Sequence, residues 1–83
     1  MRVSLELLGP VREAIGSSVI EVALEPDATV ADVVEELVER AGEPLRGLLE
    51  RCRFAIGDRV VDLDEPLADG ATVVVIPPVS GGS

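Results

Sequence analysis

Few residues in this chain can do chemistry. There is no histidine, so imidazole acid–base catalysis and the commonest metal ligand are both missing. The single cysteine, Cys52, rules out a disulfide framework and a multi-thiolate metal site. As a nucleophile Cys52 lacks a neighbour that lowers its pKa, so it reads as a small buried hydrophobe. Asp58, Asp62, Asp64, Glu65 and Asp69 form an acidic stretch, but their spacing matches no calcium loop and a solvated face explains them. What remains is the end of the chain, Thr72-Val73-Val74-Val75-Ile76-Pro77-Pro78-Val79-Ser80-Gly81-Gly82-Ser83. A β-branched run breaks at two prolines and finishes in small residues. The run reads as a buried strand, and the prolines, which lack ladder N–H groups, turn it into an extended arm. Beyond Val79 nothing can build a core, so the arm is either a frayed end or an element that enters a partner.

The rest of the chain must hold that arm. Its 83 residues make one domain, with residues 1–78 folded and 79–83 a flexible tail ending Gly-Gly(-Ser). The core must be aliphatic, since Phe54 is the only aromatic residue. A net charge of −9 argues against nucleic acid and suits a basic protein partner or simply solubility. All seven basic residues are arginine, which fits the base composition of a genome. No apolar run approaches the ~20 residues that span a bilayer, and the N-terminus alternates rather than forming a signal-peptide core, so the expected location is the cytoplasm, away from membranes.

Val3, Leu5 and Leu7 alternate with polar residues, the period of a strand from Arg2 to Leu8. Gly9-Pro10 ends it, Val11–Ile15 allows one helical turn stopped by Gly16, and Val19–Leu24 reads as a second, antiparallel strand. Thr29 reads as an N-cap with Asp32 completing a capping box. Val30, Val34, Leu37, Val38 and Ala41 then recur at helical spacing, predicting a helix over residues 30–41 closed by Gly42. A short helix over Glu43–Arg51 starts with Pro44. Arg53–Ile56 reads as a third strand, turned by Gly57-Asp58 into Arg59-Val60-Val61; whether that last piece joins the main sheet is open. Asp62–Ala68 is irregular, and Asp69-Gly70 turns the chain into the final strand.

This order predicts an α+β domain, a mixed sheet with one main helix packed across it; if the last strand lies beside the first, it must be parallel to it, which the crossover through the helix allows. That is the β-grasp, or ubiquitin-like, arrangement.

Three segments carry a resemblance: Leu8-Gly9-Pro10-Val11-Arg12-Glu13-Ala14-Ile15-Gly16, Pro66-Leu67-Ala68-Asp69-Gly70, and Ile76-Pro77-Pro78-Val79-Ser80-Gly81-Gly82. Together they resemble the small subunits of molybdopterin synthase (MoaD-like), of the MoaD/ThiS ubiquitin-like sulfur carriers. The resemblance covers nearly the whole chain, and the Pro-Pro-Val-Ser-Gly-Gly ending is its specific part. Gly57 and Ile76 depart from it, where such proteins often carry asparagine and phenylalanine. It implies that the working group is the carboxylate of Gly82, which an E1-like adenylyltransferase/sulfurtransferase activates with ATP and converts to a thiocarboxylate. The carrier then acts as co-substrate, not enzyme, with the large subunit of molybdopterin synthase; it binds no cofactor and no metal. Pro77, Pro78, Val79, Ser80 and Gly81 would contact the partners, the prolines stiffening the arm's base and Gly81-Gly82 threading a narrow channel. Docking is expected on an apolar patch of the sheet near the tail. Arg12 matches a recurring arginine of such proteins; it either pairs with a carboxylate to hold the first turn or contacts the partner, and the first is favoured.

Ser83 blocks the Gly82 carboxylate in the chain as written. It is a remnant appended after the native terminus, a genuine extension trimmed by a protease, or a mark of lost carrier activity; the first two together are favoured. Other pathways for the same chemistry are thiamine, cysteine or tRNA thiolation. The rival class is a ubiquitin-like protein modifier or interaction module. A ferredoxin of the same fold class would need about four thiolates.

Overall fold

The computed structural model describes residues 1–79, so what is expected of Ser80, Gly81, Gly82 and Ser83 lies outside the described residues. The chain runs β1 (Arg2–Leu7), α1 (Gly9–Ile15), β2 (Val19–Ala23), α2 (Val30–Ala41), a 3₁₀ turn (Glu43–Leu45), α3 (Arg46–Leu49), β3 (Arg53–Ile56), β4 (Arg59–Val61) and β5 (Thr72–Ile76). Among the described residues, five strands form one sheet in the order β2-β1-β5-β3-β4. β1 and β2 pair antiparallel, as the intervening turn predicts, with Val3 opposite Val22. β5 inserts at the centre, parallel to β1 and antiparallel to β3. The open question about β4 is answered by its antiparallel ladder with β3, Phe54 opposite Val61. It is the outer strand of the main sheet. The arrangement is a β-grasp.

Each element forms for a local reason. Alternation along β1 buries Val3, Leu5 and Leu7 completely and leaves Arg2 and Glu6 in water. The helix of residues 30–41 has the predicted bounds. The Thr29 N–H donates to the Asp32 carboxylate at 2.8 Å, satisfying one of the orphan donors at the helix start. At the other end Gly42, at φ 100°, donates its N–H to Val38 O at 2.7 Å. The apolar stripe also includes Val33, fully buried, one position outside the spacing read from the sequence. The expected short helix after Pro44 is a 3₁₀ turn running into α3, with Leu45 and Leu49 buried beneath it. The first helical turn begins earlier than expected, at Gly9, and stops at Gly16 as predicted.

The helices therefore cover one face of the sheet. Under them lies a single core of aliphatic side chains with Phe54 (3% exposed) near its far edge. No buried polar or charged residue interrupts it among the described residues. The opposite face stays open.

Candidate functional site

The site is the place where β5 releases the chain. Val73 and Val75 are fully buried, and Val75 is held on both sides, opposite Leu7 of β1 and Phe54 of β3. The last strand residue, Ile76, pairs with Arg53. The arm therefore leaves from the centre of the sheet, where two ladders fix its backbone. Pro77 follows half-buried, and Pro78 and Val79 are exposed, Val79 at 81%.

Pro77 is also held from the side by α1. Gly9, at φ 55°, comes so close that a Cβ built on it would lie 3.1 Å from Pro77 Cγ. Glycine serves there twice, for the left-handed backbone and for the close approach. This contact sets the direction in which the arm departs. Sequence reading placed Gly9 at a strand end and gave no sign that it meets Pro77, since the two are far apart in the chain.

Around the base of the arm lies an apolar strip on the open sheet face. Strand alternation puts Val74 and Ile76 of β5, Ala55 of β3 and Val60 of β4 on this face, with Ala55 opposite both Val74 and Val60. Val60 is 62% exposed. Glu6, beside Val74 on β1, and Arg53, beside Ile76 on β3, put one charge of each sign at the strip's margins. An apolar centre with a charged rim is the anatomy of a docking surface. The residues of this patch were not assignable before the register was known.

Other candidates fall into place as structure. Cys52 is half-buried, and its Sγ–H donates to Leu48 O at 3.3 Å. Burial pushes its thiol up from the ordinary value, against a smaller opposing effect of Arg51, so it is a poor nucleophile. The expected carboxylate partner of Arg12 is not seen: among the described residues its side chain makes no ion pair or hydrogen bond, because α1 turns it into solvent. The acidic stretch is spread out. Glu65 meets Arg59 at 3.4 Å and Asp69 accepts the Arg2 backbone N–H at 2.8 Å. Among the described residues no three His, Cys, Asp or Glu side chains are grouped to hold a metal ion.

A more ordered charge cluster, unmarked in the sequence, ties α2 to the chain after it. Arg46 binds Glu35 at 2.7 Å and Glu43 at 2.9 Å. Its hydrogen bonds hold both carboxyls below the usual carboxylate range, and theirs raise the guanidinium in turn. Arg46 and Glu35 border a half-open cleft of about 370 Å³ between the helices and the β3–β4 hairpin, floored by Val34, Leu49 and Phe54.

Comparison with known proteins decides the family. The model of the ThiS family matches residues 5–82. The chain belongs to the ThiS family. This is a family of ubiquitin-like sulfur carriers, and the match runs through Pro77 and Pro78 to Gly82. No curated protein matches. Among solved structures, SAMP1 from Haloferax volcanii is similar at 26% identity and TM-score 0.83, covering 99% of this chain and 100% of its own. A candidate molybdopterin converting factor subunit 1 from Pyrococcus furiosus is similar at 29% identity and TM-score 0.83, covering 95% and 99%. A complex of subunits 1 and 2 of the molybdopterin-converting factor from Helicobacter pylori contains a chain similar at 28% identity and TM-score 0.63, covering 99% and 100%. The ubiquitin-like β-grasp fold is thus shared with relatives of two kinds, modifiers and converting-factor subunits. No helix of the described residues is long and apolar enough to cross a membrane.

Proposed function

We propose that this ThiS-family chain is a sulfur carrier whose reactive group is the carboxylate of Gly82, freed of Ser83, and that it serves molybdopterin synthesis. In the first step a Gly82 carboxylate oxygen attacks the α-phosphorus of ATP and pyrophosphate leaves; an E1-like enzyme provides the site. Sulfide then bonds to the carbonyl carbon, AMP leaves, and a thiocarboxylate results. A persulfide donor would first form an acyl disulfide, whose S–S bond a thiol must then cleave to free the thiocarboxylate. The carrier gives this sulfur up on the large subunit of the synthase, so it acts as co-substrate and brings no bound cofactor or metal of its own. The observation that carries the reading is the release point of β5. A rigid central strand ends in Pro77-Pro78, and the family match continues from there to Gly82.

In this reading the strip of Ala55, Val60, Val74 and Ile76 docks the large subunit, while Pro77, Pro78, Val79, Ser80 and Gly81 line its channel. The converting-factor complex, similar to this chain over its whole length, supports a partner of that type. A second reading, attachment to the amines of target proteins, is favoured by the similarity to SAMP1.

The test is an intact mass of the chain recovered from its own cells, before and after incubation with the activating enzyme, ATP and sulfide. Loss of Ser83 and replacement of one oxygen by sulfur at Gly82 are expected. Retention of the serine on every molecule, with no sulfur gained, would overturn the carrier reading.

A further inference from the structure

We infer that the chain is inert toward its own activated carboxyl end, so that once Gly82 is activated, only a nucleophile from another kind of molecule can take the acyl group. The inference rests on the reading that Gly82 is activated, and it holds for sulfur transfer and for protein attachment alike.

The chain offers few nucleophiles to an acyl group. Amide formation needs an amine, and the sequence contains no lysine among its 83 residues. Seven cationic positions are filled by arginine, whose guanidinium stays protonated and does not acylate under these conditions. The serine and threonine hydroxyls have no histidine to activate them. Cys52, the one thiol, lies half-buried with its S–H turned to Leu48 O, and burial raises its pKa further from the working range.

One amine remains in the structure, on Met1, and the fold places it badly for attack. It is half-buried and donates to Leu24 O at 2.7 Å, closing the β1–β2 ladder. It also sits at the wrong end of the sheet. β5 runs parallel to β1 with Val75 level with Leu7, so the arm leaves beside Leu8 while Met1 lies at the opposite end. Seven residues of strand at ~3.3 Å each separate the two ends by about 23 Å. The stretch Pro77–Gly82 spans at most about 22 Å when fully extended, and it would have to reverse its direction past the Gly9–Pro77 contact to use that length. Its own amine is out of reach.

Charge keeps second copies apart as well. Each carries a net charge of −9, so an encounter between two chains is repulsive. The two features act together, against self-joining within a chain and between chains.

The test makes the activated end chemically, so it does not depend on any activating enzyme. The chain ending at Gly82 is prepared as an alkyl thioester, with folding checked by circular dichroism against the 83-residue chain. It is incubated alone and with N-acetyl-lysine methyl ester as a foreign amine. Attack by the amine nitrogen on the Gly82 carbonyl breaks the C–S bond and releases the thiol. The foreign amine should be acylated, while chain-to-chain amides and a cyclic product are absent from the mass spectrum. Arg51→Lys, at an exposed position that keeps its charge, should restore self-acylation mapped to residue 51, at least about tenfold above the parent chain. Self-adducts of the parent chain at the level of the lysine variant, or a thioester moved to Cys52, would overturn the inference. So would an Arg51→Lys chain as inert as the parent. Failure of enzymatic adenylation in the separate test above would touch the functional reading and leave this result standing.

Discussion

Val74 and Val75 are neighbours on β5 that face opposite sides of the sheet, so replacing each by alanine separates burial from docking. Val75 is fully buried and touches the core, while Val74 is half-exposed on the open face. Removing two methylene equivalents from Val75 costs about 1.6 kcal/mol of transfer free energy. The cavity left between β1 and β3 adds roughly 1 kcal/mol, for a total near 2.5. At Val74 about half of the transfer cost applies and no closed cavity forms, giving roughly 0.8 kcal/mol. Both lose the same strand propensity, so the difference isolates burial at about 2 kcal/mol. For a domain of this size that separates the two melting temperatures by roughly 10 °C. Thermal unfolding by circular dichroism reads the difference directly, and urea midpoints at a shared m-value check it. Binding to the large subunit should show the reverse order, with Val74→Ala weaker than Val75→Ala at a temperature where both are folded. Equal melting temperatures would refute the assignment of faces, and with it the docking strip built on that register.

Val60→Asp places a charge in the middle of the strip. It should weaken binding to the large subunit by about tenfold or more while costing only about 1 kcal/mol of stability, measured by calorimetry and urea unfolding. The Arg46 cluster predicts a pH dependence with a definite sign. Glu35 and Glu43 have folded pKa values below the ordinary 4.5, so their contribution is present above that pH and is lost as pH falls through the folded values. Urea midpoints taken from pH 7 downward should fall in that window, and Arg46→Leu should lack this part of the fall. Because these groups are at the surface, added salt should shrink the effect too. Cys52→Ser should leave thiocarboxylate formation at Gly82 intact, and alkylation of Cys52 in the parent chain at neutral pH should be slow beside a free thiol, both read by mass.

Much of the framework is legible in the sequence. The alternation of Val3, Leu5 and Leu7 marks β1 because a half-buried strand imposes period two, and Thr29 with Asp32 marks the start of α2 because its N–H groups need partners. The crossover between β1 and β5 allows them to pair in parallel, and the structure sets them side by side. Illegible features share one property: they join residues distant in sequence through geometry. Gly9 meets Pro77 only after the sheet has closed. Arg46 meets Glu35 only when the 3₁₀ turn after Gly42 sets the angle of α3. β4 gave too short a pattern, Arg59-Val60-Val61, to say what it paired with. The docking strip needs the register of three strands at once. At Arg12 the favoured carboxylate pairing is absent among the described residues, since local helix geometry turns the side chain into solvent, where a partner could meet it.

The parallel β1–β5 pair has a mechanical meaning. The chain enters at one end of the sheet and leaves at the other, so tension between the termini runs along both strands in opposite senses. Load of that kind shears the whole ladder at once, whereas pulling apart the β3–β4 hairpin would open its bonds one after another. A single-molecule pull from the two termini should therefore meet a higher rupture force than one applied across Arg53 and Val61. Any force drawn through the arm after Ile76 therefore reaches the sheet along its central strand, in the direction in which that strand yields last.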